Sequence, residues 1–129
     1  MLNITAIHHI AIICSDYTIS KAFYTEILGL EILREVYRPD RDSHKLDMTI
    51  KGHYQIELFS FPDPPERVSC PEARGLRHIA FEVADLRASV AELKQKGLVM
   101  EDIRTDEFTG KRFVFFSDPD GLPIELYES

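Results

Sequence analysis

Cysteine is nearly missing from this chain: only Cys14 and Cys70 occur, one inside an expected strand and the other in a proline-rich loop. That scarcity excludes a disulfide-stapled scaffold and a closed structural zinc site built on thiolates. No activating neighbour of the kind that lowers a thiol pKa stands beside Cys14, so a cysteine nucleophile is not expected either. Long apolar runs are also missing, and the start, Met1-Leu2-Asn3-Ile4, has neither the basic residues nor the apolar stretch of a signal peptide. A cytoplasmic location is expected. Basic residues are in short supply, 15 against 22 acidic ones, for a formal charge of -7. Such a charge repels a phosphate backbone and an anionic membrane surface alike, which leaves a small molecule as the expected partner, with no nucleic acid and no membrane.

What is present is enough apolar material for one core, 44% hydrophobic and 10% aromatic in 129 residues, and an internal repeat. His9-Ile10-Ala11-Ile12 returns 69 residues later as His78-Ile79-Ala80-Phe81, and in each copy an aspartate follows at the same distance, Asp16 and Asp85. Each aspartate is placed to cap a helix. Ile19, Ala22, Phe23 and Ile27 keep helical spacing up to Gly29, and Leu86, Val90 and Leu93 keep it up to Gly97. A second echo, Ile56-Glu57-Leu58 against Ile124-Glu125-Leu126, lies at an offset of 68 residues and belongs to the same duplication.

Strands are expected near Glu31 to Val36, Lys45 to Lys51 and Tyr54 to Ser60 in the first copy, with a hairpin turn at Gly52-His53. In the second they are expected near Val99 to Thr105, Arg112 to Ser117 and Leu122 to Tyr127, with a turn at Asp118-Pro119-Asp120-Gly121. The fold class is therefore α+β: two βαβββ modules, residues 4–61 and 75–128, forming a curved, cup-shaped mixed sheet with helices outside. The linker 62–74 holds Pro62, Pro64, Pro65 and Pro71, and the 129 residues make a single domain.

Side chains alternate between the faces of a strand, which sorts the polar residues. Ile10, Ile12 and Cys14 make an apolar, helix-covered face, and His9, Ala11 and Ile13 take the other. Glu57 joins Gln55 and Phe59 opposite Ile56 and Leu58, His78 joins Ala80 and Glu82, and Glu125 joins Pro123 and Tyr127. Two histidines and two glutamates thus hold corresponding positions on the open faces. A carboxylate withdrawn from water costs several kcal/mol if left unpaired, and a divalent cation removes that cost. Imidazole and carboxylate donors suit nickel, cobalt, zinc, manganese or iron(II), so the metal ligands expected are His9, Glu57, His78 and Glu125.

These residues carry a resemblance. His8-His9-Ile10-Ala11-Ile12 with Asp16, Phe23-Tyr24 to Leu28-Gly29-Leu30, and Phe115-Phe116-Ser117-Asp118-Pro119-Asp120-Gly121 leading into Ile124-Glu125-Leu126 resemble the vicinal oxygen chelate superfamily. Its members include glyoxalase I, extradiol dioxygenases, fosfomycin resistance proteins and bleomycin-binding proteins. The likeness covers nearly the whole chain and looks strongest to a bacterial glyoxalase-like branch. It implies paired βαβββ modules around one divalent metal ion, with the His, Glu, His, Glu set of glyoxalase I. His8 falls on the opposite face by parity and has Arg77 as its counterpart, so His9 is the expected ligand. The implied reaction is that of a lactoylglutathione lyase-like lyase or isomerase on a small oxygenated substrate such as a thiol hemithioacetal of a 2-oxoaldehyde. Glu125 is the first choice of base and Glu57 a second.

The chain departs from glyoxalase I where that enzyme recognises glutathione, with Ile13 and Phe61 at positions that carry an arginine and an asparagine there. Both changes take anion recognition out of the cleft and argue against the glutathione adduct. Arg38, Arg41, Lys111 and Arg112 are candidate cationic contacts from loops. The alternatives on the same scaffold are a dioxygenase, a thiol transferase or a small-molecule-binding resistance protein, for which Ile13, Phe59 and Tyr127 would form an apolar lining. Open sheet edges predict a homodimer.

Overall fold

A computed structural model describes all 129 residues. The chain divides into two compact units, Met1–Pro65 and Glu66–Ser129. The first runs β1 (Ile10–Cys14), α1 (Tyr17–Ala22, continued by a wider π-helical turn over Phe23–Ile27), β2 (Glu31–Arg38), β3 (Ser43–Ile50) and β4 (His53–Ser60). The second runs β5 (Ile79–Val83), α2 (Leu86–Gln95), β6 (Arg104–Thr105), β7 (Arg112–Ser117) and β8 (Pro123–Glu128). Each is a βαβββ unit with a four-stranded mixed sheet, ordered β1-β4-β3-β2 and β5-β8-β7-β6, as the repeat predicts.

In both sheets the first strand lies parallel to the last, and the register is preserved by the duplication. Ile10 pairs with Ile56 and Ala11 with Glu57 in one sheet; Ile79 pairs with Ile124 and Ala80 with Glu125 in the other. The remaining pairs are antiparallel.

Local chemistry explains the elements. Asp16 accepts the backbone N–H of Ile19 at 3.1 Å and Asp85 that of Ala88 at 3.0 Å, each satisfying a donor that the first helical turn leaves open. Past the helices, Gly29 (φ 79°) and Gly97 (φ 91°) turn the chain in the left-handed region, which glycine enters without a Cβ clash. In the turn before β8 the buried Asp118 accepts the N–H groups of Asp120 and Leu122, both at 2.9 Å. Alternation along the strands builds the cores: Ile12, Cys14, Leu46, Met48, Ile56 and Leu58 are buried with Phe23 and Tyr24 in the first unit. Ile79, Val114, Phe116, Ile124 and Leu126 are buried with Leu86, Val90 and Leu93 in the second. Both cysteines are free, Cys14 in the core and Cys70 on the surface, and no helix is long and apolar enough to cross a membrane.

The strand expected near Val99 to Thr105 shrinks to Arg104–Thr105. Its N-terminal part holds on to the sheet by one hydrogen bond, Glu101 N–H to the Phe115 carbonyl at 3.1 Å, and Val99 is 91% exposed. β-propensity alone does not make a strand where the ladder and the packing are absent. The helix expected from Asp16 to Gly29 likewise loses its regular pitch at Phe23.

Asp85→Ala removes a cap and is expected to lower stability by about 1 kcal/mol in urea unfolding. Acid unfolding should report on Glu128, whose carboxyl is held down at about 2 by hydrogen bonds from the Arg112 guanidinium and backbone N–H. Its folded pKa lies below the ordinary value of 4.5, so its stabilising contribution is complete above that pH and is lost as the pH falls toward 2. Glu128→Gln should flatten the pH dependence of stability in that window; an unchanged slope would refute this.

Candidate functional site

Each module brings one expected histidine and one expected glutamate together. His9 and His78 sit one residue ahead of β1 and β5, and Glu57 and Glu125 lie in β4 and β8. The parallel register sets Ala11 beside Glu57 and Ala80 beside Glu125, so the imidazole two residues upstream of each alanine leans over a small side chain toward the carboxylate. His9 Nε2 lies 3.5 Å from Glu57 Oε2, and His78 Nε2 lies 2.9 Å from Glu125 Oε2. Two donor atoms bound to one ion at 2.0 to 2.2 Å are about 2.9 Å apart at a right angle and about 3.5 Å apart at the tetrahedral angle. Each pair offers an imidazole nitrogen and a carboxylate oxygen, donor types that a divalent metal accepts, and no group of three or more such side chains gathers within either unit.

The two pairs have different surroundings. In the first module Glu57 is 7% exposed and directly opposite Asp47 of β3, itself 1% exposed. Two facing carboxylates repel, and cations from the flanking strands offset this. Lys45 Nζ lies 2.9 Å from Asp47 and 3.7 Å from Glu57, and Arg34 grips Asp47 through Nε at 2.9 Å and Nη2 at 2.7 Å. Burial pushes the Asp47 carboxyl up, but Lys45, Arg34 and the Tyr54 hydroxyl outweigh it and hold it below the usual aspartate range. Tyr54 also donates a short hydrogen bond to Glu57 Oε2, and burial together with that carboxylate raises its hydroxyl pKa.

In the second module Glu125 is equally buried, but the residue opposite it is Phe115, and its polar contact is His78. The His78 ring meets Phe115 edge-on at 5.0 Å. Arg77 Nη1 lies 3.0 Å from His78 Nδ1, so the other ring nitrogen, Nε2, is the one that faces Glu125.

His8 differs from the parity expectation. Residues 8 and 9 precede β1, where alternation does not apply, and the His8 ring packs at 5.0 Å from His9 and 5.4 Å from Tyr54. Its Nδ1 lies 2.8 Å from Nδ1 of His9, a contact that orients the His9 ring and leaves Nε2 toward Glu57. Sequence reasoning also passed over Tyr54, Lys45 and Asp47. The signal for the last two was available, since the odd-numbered residues of β3 share the face of Glu57 once the hairpin register is set.

Of the four cations expected on loops, Arg38 and Arg112 instead lie at strand ends, in β2 and β7; Lys111 donates to the Ser129 carbonyl at 2.9 Å and Arg112 is forked onto Glu128, so neither of these two is open. Arg38 donates to Ser43 and lies over Phe59, 4.9 Å from the ring centre, on the face of Glu57. Arg41 ends the short turn Pro39–Arg41 at the surface. In the second unit a cleft of about 530 Å³ opens beside the His78 pair, with Arg77, Phe115 and Pro123 in its wall.

Arg34→Ala strips the two-pronged partner from a carboxylate that is 1% exposed and is expected to destabilise by about 2 to 3 kcal/mol. Asp47→Ala, which removes that buried charge together with its repulsion of Glu57, should cost less, about 1 kcal/mol. Equal losses in urea unfolding would contradict the burial argument.

Known proteins resemble this chain along nearly its whole length. Residues 6–126 match the family model of the Glyoxalase/Bleomycin resistance protein/Dioxygenase superfamily. The chain is 63% identical over 123 residues to the uncharacterized protein YwkD of Bacillus subtilis (strain 168), covering 95% of this chain and 96% of that one. It is 59% identical over 128 residues to the uncharacterized protein YaeR of Escherichia coli (strain K12), covering 99% of both. The crystal structure of a glyoxalase family protein from Enterococcus faecalis superposes with a TM-score of 0.87 at 48% identity, covering 95% of this chain and 97% of that one. More distant matches are enzymes of two kinds, 2-epi-5-epi-valiolone and methylmalonyl-CoA epimerases and the metallothiol transferase FosB.

Proposed function

The chain belongs to the Glyoxalase/Bleomycin resistance protein/Dioxygenase superfamily, and on that basis we propose that it is a divalent-metal-dependent lyase or isomerase of glyoxalase type. Its substrate is a small oxygenated compound, in the first instance a thiol hemithioacetal of a 2-oxoaldehyde. The observation that carries this reading is the pair of His–Glu contacts, His9 with Glu57 and His78 with Glu125, at duplicated register positions and at donor spacings that suit one ion. All four residues are its ligands, with the two modules meeting in one chain or across a homodimer. The exposed apolar residues of the edge strand β2, Ile32, Leu33, Val36 and Tyr37, favour a second copy.

A bound divalent ion polarises vicinal oxygens and stabilises the negative charge that develops when a neighbouring carbon loses its proton. The protein supplies the proton transfer. Glu125 is the better base, because Oε2 of Glu57 is occupied by Tyr54 and approached by Lys45, whereas Glu125 has His78 as its polar partner and an aromatic wall opposite. His78 holds Glu125 in place, and Phe115 keeps water from one side. The related epimerases support proton movement at carbon as the reaction type.

Elemental analysis should find about one divalent ion per chain, lost in His9→Ala and His78→Ala. With metal saturating, Glu125→Gln should lower kcat on hemithioacetals by about 10²- to 10⁴-fold. A protein that binds no metal, or turnover unaffected by Glu125→Gln, would overturn the reading; fosfomycin consumption with thiol and manganese, without hemithioacetal turnover, would replace it with a transferase.

A further inference from the structure

Ile13 and Phe61 remove two polar positions from the expected site, yet the second module holds cations that pattern reading passed over. The guanidinium carbons of Arg77 and Arg104 lie 6.0 and 5.6 Å from the centre of one ring, Phe115, and Arg104 is also 5.0 Å from Phe113. Arg77, Arg104 and Phe115 line the cleft of about 530 Å³ together with one carboxylate, Glu101, and with apolar Leu98, Met100 and Pro123. Stacking on a ring uses the flat face of a guanidinium and leaves its N–H edge free to donate.

Neither arginine is neutralised well. Arg104 meets Glu101 at 3.4 Å, with both side chains more than half exposed, a pair worth little in water. No carboxylate pairs with Arg77; its polar contact is His78 Nδ1 at 3.0 Å. Arg34 and Arg112, by contrast, hold carboxylates at 2.7 and 2.6 Å. In a chain with 22 acidic residues and a charge of -7, two arginines against the one carboxylate of Glu101 in a single cleft are a local reversal of sign. That reversal attracts an anion from solution. The apolar wall makes room for the carbon body attached to it.

We propose that this cleft receives the oxyanion group of the substrate, a carboxylate or a phosphate, on the N–H edges of Arg77 and Arg104. The oxygenated carbon then lies toward His78 and Glu125, since Arg77 touches His78 directly. The placement of the reacting end rests on the proposed function; the oxyanion site itself does not. A planar carboxylate matches the guanidinium fork in two parallel hydrogen bonds, and it is the favoured group.

The test is NMR titration of the ¹⁵N-labelled full chain with L-lactate, inorganic phosphate and the uncharged lactamide. Saturable shifts at the Arg77 and Arg104 Nε–H signals and at the Phe115 amide are expected with an oxyanion, and none with lactamide. Arg104→Gln and Arg77→Gln should each weaken that binding by about tenfold or more, with Arg104→Lys retaining part of it. The tighter of lactate and phosphate identifies the group. Equal shifts from lactate and lactamide, or wild-type affinity in both glutamine variants, would overturn the proposal. Metal binding is read on the same samples. Intact metal binding without oxyanion binding defeats this inference alone, and oxyanion binding without any metal binding defeats the proposed reaction alone.

Discussion

Everything at the candidate site depends on a parallel strand pair. In each module the last strand returns alongside the first, and only that pairing brings a histidine from the module's beginning to a glutamate from its end. A parallel connection requires the chain to leave the sheet and come back, and here a helix and two further strands fill the excursion. The helix therefore has a second task besides covering the core: with its aspartate cap and glycine exit it fixes where the next strand begins. A one-residue slip of β4 would turn Glu57 to the helix side, among the buried Ile12 and Cys14 of β1, with no partner for its carboxylate.

Duplication preserved this pairing while allowing the surroundings to diverge. Glu57 sits beside a charged network of Lys45, Asp47 and Arg34, and its Oε2 is occupied by Tyr54. At the position equivalent to Asp47 the second module has Phe115, and Glu125 faces an aromatic ring instead of a second carboxylate. Two carboxylates in unlike environments suit unlike tasks, one holding charge in place and one exchanging a proton. The arginines follow the same division. In the first module Arg34 is consumed by Asp47, and in the second, where that acid is absent, Arg77 and Arg104 lie over the Phe115 ring, one touching His78 and the other meeting Glu101 at 3.4 Å.

The architecture was legible because its signals are local and occur twice. The aspartate caps, the glycine exits, the apolar alternation and the Asp118 turn each depend on a few neighbouring residues, and each repeats or has a distinct chemical cause. Where expectation and structure part, the cause is tertiary. Val99 to Ile103 has the composition of a strand but gains one hydrogen bond and little burial. Parity misplaces His8 because the residue lies outside the ladder that makes parity meaningful.

The sequence by itself determined the two βαβββ modules, their helix boundaries and the four residues with ligand chemistry, because period, capping and repetition are properties of the chain read in order. Only the tertiary structure decided which side chains surround those four. Lys45 with Glu57, Tyr54 with Glu57, Phe115 with Glu125 and Arg77 with His78 depend on cross-strand register and on contacts ahead of the strands, and a carboxylate's environment is set by what lies beside it in space.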